Sequence, residues 1–201
     1  MARDHSRSGE PSDPAAAPEI AALAEALRAT RADARALVTG LTDAHGMGRA
    51  APGSWSVSEC LDHLATADRI YLEAMRPPAD AARTQGRLRR RPALPGLIGG
   101  LFVRSMEPPV KPAFRIKAPR PIRPRTAPDL QDAIQAFFSA HDDAERFLHA
   151  CADLDLAGIR FPNPFIRGVR FSLATGLHVI AAHERRHLWQ AWNVRRATES
   201  A

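Results

Sequence analysis

Residues 78–125 carry nine of the chain's 17 prolines, and no single helix or strand runs through so many missing backbone donors. These 48 residues are too many for a hairpin connection. The elements on either side of them are therefore free to run in the same direction. Outside this crossover the chain is patterned with the 3.6-residue period of helices, and no stretch of useful length alternates as a strand does. The expectation is an all-α chain of four helices, with the crossover between the second and the third.

The first helix is expected from Pro18 to about Ala44, with Ile20, Leu23, Leu27, Ala34, Leu37, Val38 and Leu41 on one apolar stripe and Pro18 suited to its first turn. The second opens at "WSVSECLDHL", where Ser56 is placed as N-cap and Glu59 three residues on completes a capping box. It should stop before Pro77 and Pro78. The third is expected to be capped by Thr126, with Pro128 in its first turn and a stripe of Leu130, Ile134, Phe137, His141, Leu148 and Cys151. The fourth, capped by Ser172, runs to about Arg196. Within the crossover, "GLIGGLFVRSM" has the composition of a short helix, and "EPPVKPAFRIKAPRPIRPR" that of an extended, polyproline-like segment.

Residues 1–17 contain no Leu, Ile, Val or Phe and are expected to form a disordered leader, leaving 18–198 as a single domain. No secretory signal is visible, and the longest apolar window, residues 94–103, is far short of the roughly 20 residues of a membrane span. A cytoplasmic location is the expectation. Cys60 and Cys151 both fall on helices and read as reduced core thiols. Charge is unevenly spread: from Arg83 to Arg125, twelve basic residues stand against Glu107 alone, a net of +11 in a chain of +6. Such a stretch either pairs with the acidic body or meets an anionic ligand or nucleic acid.

His183 and His187 lie in "AAHERRHLWQ", a His-Glu-x-x-His run. One helical turn apart, they present two imidazoles to one metal ion. Their face also holds Leu173, Gly176, Ile180, Ala191 and Val194, so both rings point into an apolar environment where they need partners. A zinc protease of the short-spaced kind would have Gly and His where this chain has Gln190 and Asn193, and no His follows. Glu184 is then expected on the helix surface, and a third ligand must come from upstream. His63 lies about 10 Å along the second helix from its cap, while His183 and His187 lie roughly 20 and 14 Å from the end of the fourth. If the second and fourth helices are antiparallel, the three rings fall at one depth. His141, on the stripe of the third helix, is the alternative or additional ligand.

The pairing of "WSVSECLDHL" with "HERRHLWQ", together with a Pro-rich crossover holding a Lys-Ala-Pro step at 117–119, resembles the DinB-like superfamily of metal-dependent proteins. The likeness spans about residues 20–196. It implies an up-down-down-up four-helix bundle, often a homodimer, with a divalent metal held by one histidine of the second helix and two of the fourth. Those positions are His63, His183 and His187 here. It also implies thiol-dependent transferases among the relatives, maleylpyruvate isomerases included.

The leading expectation is therefore a transferase or hydrolase acting on a small molecule. Zn²⁺ or Ni²⁺ sits on the three imidazoles, a low-molecular-weight thiol is an additional cofactor, and crossover arginines orient an anionic group. Glu59 and Gln190 are further residues of metal or pocket, with capping the first role of Glu59; Trp189 and Trp192 line a pocket or pack in the core. The competing readings are a metal- or ligand-binding bundle without turnover, and nucleic-acid binding by the crossover. The latter is disfavoured because Phe102 and Phe114 are its sole aromatic residues.

Overall fold

The computed structural model describes residues 17–109 and 118–200. The expected leader, but for Ala17, and residues 110–117 of the expected extended segment lie outside them. The described chain is predominantly helical, as expected, with one small sheet that the sequence reading did not contain.

Helix α1 spans Pro18–Val38 and starts on its proline. It ends earlier than expected because Gly40 takes a left-handed conformation, φ 70°, and the chain then re-enters a short helix, α2, Asp43–Met47, capped by Thr42. Helix α3, the expected second helix, is Val57–Thr84; both halves of its Ser56–Glu59 capping box are formed. It does not stop at the prolines but runs through Pro77 and Pro78. Met75, Ala79 and Ala82 carry its buried stripe past them, and the two carbonyls left without donors belong to exposed Glu73 and half-buried Ala74, on the less buried side of the helix. Tertiary burial here outweighs the local preference.

The crossover folds into helix α4, Leu97–Met106, matching the expected short helix, and a 3-10 turn, Arg120–Ile122. Helix α4 lies on the last helix: a methyl group at Gly99 would stand 2.5 Å from Thr175 Oγ1, and Glu107 pairs with Arg185. Its outer side leaves Leu97, Ile98 and Leu101 exposed. Helix α5, Leu130–Ala150, is capped by Asp129 and not by Thr126. Ala127, with φ 46°, breaks the chain between the two, which leaves Pro128 before the cap.

After α5, strands β1, Arg160–Pro162, and β2, Arg170–Ser172, pair antiparallel with Phe161 opposite Phe171. Three residues each, they are too short to show alternation in sequence. Their turn is closed by Asn163, whose side-chain oxygen accepts from Phe165 N and Ile166 N. Ser172 then caps α6, Leu173–Glu199.

Two apolar clusters form the core. One joins the beginning of α1, the end of α3, the end of α5 and the beginning of α6; the other joins the opposite ends of the same four helices. Between them lies a layer of buried polar side chains: His63, Asp68, His141, Glu184 and His187. Cys60 and Cys151 are both buried and free, and burial pushes both thiols up, so neither is poised as a thiolate. Among the described residues no helix is long and apolar enough to cross a membrane.

Candidate metal centre

His63 lies near the start of α3, whose entry is fixed by the capping box. Asp62 beside it accepts from both the backbone N and the guanidinium of Arg125. That clasp draws the end of the crossover onto α3 and delivers the Ile122 carbonyl to His63, whose Nδ1–H donates to it. The proton is thereby held on Nδ1, and Nε2 is left as a lone pair. His187 is oriented in the same way, its Nδ1–H donating to the Gln190 side-chain oxygen at 3.0 Å. One turn earlier on α6, His183 brings its Nε2 to 3.1 Å from Nε2 of His63.

The three rings stand with centroids 4.5–4.9 Å apart, mutually edge-on, and one nitrogen from each lies within 4.8 Å of the others. The group can hold a metal ion. Trp55 backs it, with its ring centroid 4.8 Å from that of His63 and 5.6 Å from that of His187. Burial holds the His63 imidazole below its usual range. Burial, then the neighbouring imidazoles and Arg186, hold His183 and His187 well below theirs. All three are neutral donors at physiological pH, the form a metal requires.

The structure thus brings together His63, His183 and His187, and separates His141 from them. His141 is fully buried, but its Nδ1 bonds Glu184 at 2.9 and 3.1 Å and its Nε2 faces Glu145 at 3.5 Å. Burial pulls its pKa down, yet the hydrogen bond and charge of Glu184, followed by the charge of Glu145, leave it raised. As an additional ligand it is therefore corrected: its ring is committed to a carboxylate. Glu184 is corrected too. It is wholly buried, because α6 is enclosed on most sides, with Ala181, Ala182, His187 and Leu188 buried around it. Beyond Glu184 lies Asp68 of α3, whose carboxyl is pushed well above the usual range by burial and then by the Glu184 charge and hydrogen bond.

Glu59 remains a capping residue, held also by Arg49; it does not join the imidazole cluster but does line the cavity beside it. The cluster opens into a cavity of about 990 Å³, large enough for a drug-sized molecule. Arg49, Arg123, Arg186, Trp189 and Gln190 are on its wall. Trp192 is not; it packs on the second apolar cluster and donates its indole N–H to Asp33. Sequence reasoning missed Glu184 and Asp68, and also the anchoring Ile122 carbonyl, which no side-chain pattern signals.

A family model described as the DinB superfamily matches residues 26–191. The chain belongs to the DinB superfamily. The match covers α3, the crossover, α5 and the three histidines of α3 and α6. Neither curated proteins nor solved structures give a match.

Proposed function

We propose that His63, His183 and His187 hold one divalent metal ion, Zn²⁺ or Ni²⁺, and that this DinB-superfamily chain is a metal-dependent transferase or hydrolase of a small anionic molecule. In the transferase case a low-molecular-weight thiol is the second substrate. The observation that carries the reading is the convergence of three neutral imidazoles at a cavity wall, with the Nδ1 protons of His63 and His187 drawn outward by Ile122 and Gln190. Two nitrogens each ~2.1 Å from a tetrahedral zinc stand roughly 3.4 Å apart. His63 and His183 are at 3.1 Å, close to that spacing, and the three nitrogens lie within 4.8 Å of one another, which supports a site that draws together on such an ion.

Held by His63, His183 and His187, such an ion would supply Lewis acidity that makes water or a thiol nucleophilic at neutral pH. Trp55 shields one side of the imidazoles from water. Arg123 and Arg186 supply positive charge to the same cavity, Arg49 there being paired with Glu59, which supports an anionic substrate. Elsewhere in the crossover, Arg89, Arg91 and Arg125 pair with Glu19, Asp155 and Asp62. Charge committed to the body itself favours a small-molecule ligand over nucleic acid. The two core clusters, each made of opposite ends of the four long helices, support an up-down-down-up bundle and one domain over residues 18–198.

Elemental mass spectrometry of untagged protein tests the metal. Wild type should carry about one Zn or Ni per chain, and His63→Ala and His187→Ala should lose it. A folded wild type that carries none and takes none up on titration would end the proposal. Activity is then sought by screening the loaded protein for hydrolysis and for thiol transfer.

A further inference from the structure

The cavity is longer than the metal centre needs, and its other end is built differently. Asp68 and Tyr71 of α3 line it together with Asn163 of the hairpin turn. Phe102, Phe165, Val179 and Ile180 provide the apolar wall between. Asp68 is 1% exposed, and its Oδ2 has no hydrogen-bond partner among the described residues. Its proton is shared with Glu184, and no N–H or O–H of the described residues donates to its carboxyl, so on the cavity wall that carboxyl has an acceptor for a ligand group to complete. Tyr71, 4% exposed, accepts from the Asn163 amide at 3.0 Å, which leaves its own O–H to donate. Asn163 is held in place by the two backbone N–H groups it accepts from.

We infer that this end of the cavity is a second subsite, which takes a neutral hydroxyl or amide on the substrate, held between the Asp68 carboxyl and the Tyr71 phenol. The inference rests on the metal reading for where the reacting end of that substrate sits. A hydroxyl accepts from Tyr71 and donates to the Asp68 carboxyl oxygen that borders the cavity, so one group satisfies both. Asp68 is an acceptor whose charge is disfavoured, because burial and then the charge and hydrogen bond of Glu184 push its carboxyl well above the usual range. An ammonium group is not called for, and a second carboxylate on the substrate is disfavoured.

The spacing sets the substrate's length. Asp68 and Tyr71 lie five and eight residues beyond His63 on one helix, about 7.5 and 12 Å along its axis. The substrate therefore carries its reacting group and its hydroxyl or amide roughly six to ten chain atoms apart, joined by an apolar stem. The anionic group attributed to the arginines lies at the metal end, so the two ends of the molecule differ in charge.

Two hydroxamates of equal length test this by calorimetry on zinc-loaded full-length protein: 6-hydroxyhexanohydroxamate, ending in a hydroxyl, and heptanohydroxamate, ending in a methyl. Wild type should prefer the hydroxyl compound by about 10-fold or more, as sites built to hydrogen-bond a group do. Tyr71→Phe and Asp68→Leu should remove the preference. Asp68→Asn, which keeps an acceptor toward the cavity and a donor toward Glu184, should retain it. A ratio near one in wild type, a ratio unchanged in Tyr71→Phe and Asp68→Leu, or binding of neither compound would overturn the subsite. If Asp68→Leu does not fold, Tyr71→Phe and Asp68→Asn decide. The metal reading is scored separately, by whether heptanohydroxamate binding needs zinc: a retained hydroxyl preference without zinc dependence would sink that reading alone.

Discussion

Replacing Glu184 separates two roles that its place in a His-Glu-x-x-His run would confuse. In a zinc protease this glutamate faces the metal and its loss abolishes turnover. Here its side chain, like that of His141, has no exposed surface, and the two are joined at 2.9 and 3.1 Å. Removing one partner of such a buried pair costs about 3–5 kcal/mol, since the other is left without compensation. Glu184→Leu should therefore lower the melting temperature by roughly 6–20 °C, at about 2–4 °C per kcal/mol for a chain of this size. Glu184→Gln keeps an acceptor for His141 and a donor for Asp68, and should cost only ~1–2 kcal/mol. In Glu184→Leu with His141→Leu both partners are apolar, so the double variant should recover much of the loss. Circular dichroism melts and zinc content on the same samples read both quantities. Melting within ~2 °C of wild type for Glu184→Leu, or metal lost from the folded Gln variant, would refute the structural role assigned to Glu184.

Arg125→Ala and Asp62→Ala release the clasp that brings the Ile122 carbonyl to His63. Zinc affinity, measured by competition with a chromophoric chelator, should fall by roughly 10-fold or more while the fold is kept, as when other groups that orient ligands are lost. Gly99→Ala sets a methyl group 2.5 Å from Thr175 Oγ1; the forced shift of α4 from α6 should cost about 1–3 kcal/mol in urea unfolding. His141 gives a pH signature. Its pKa is raised on folding, so its stabilisation is complete below the unfolded value of ~6.5 and is lost as pH rises through the folded one. The stability gap between wild type and His141→Gln should narrow as pH rises above ~6.5, and a gap that widens there would contradict the pairing with Glu184.

The helices were legible because their apolar residues recur with helical period, and each misplaced boundary has a local cause. Gly40 ended α1 early by taking a positive φ that the stripe through Leu41 does not betray. Pro77 and Pro78 were read as a stop, yet Met75, Ala79 and Ala82 continue the buried line across them. Thr126 and Asp129 are both good caps, and only the backbone at Ala127 decides between them. The hairpin stayed hidden because three-residue strands carry no period, although the Asn163 and Gly168 that close its turn are ordinary turn residues.

For the metal centre, the spacing of His183 and His187 and a count of helical rise brought His63 to their depth, because rigid helices turn sequence separation into depth, but left His141 open as an alternative. The same logic, carried further, reaches the neighbouring polar layer. On α3, Asp68 interrupts the line Leu61, Leu64, Leu72 and Met75; on α6, Glu184 interrupts Leu177, Ala181, Leu188 and Ala191; on α5, His141 stands between Phe137 and Leu148. Each is a polar residue where its helix's own pattern asks for an apolar one. Read singly, each has several bland explanations. Three such interruptions at one depth cannot be buried apart from one another, since each would then lack a partner; they must meet, and in the structure His141 bonds Glu184 and Glu184 adjoins Asp68. What no pattern supplies is how the row ends: Asp68 takes no donor from the described residues and lines the cavity, the place where a broken local rule passes from packing to binding.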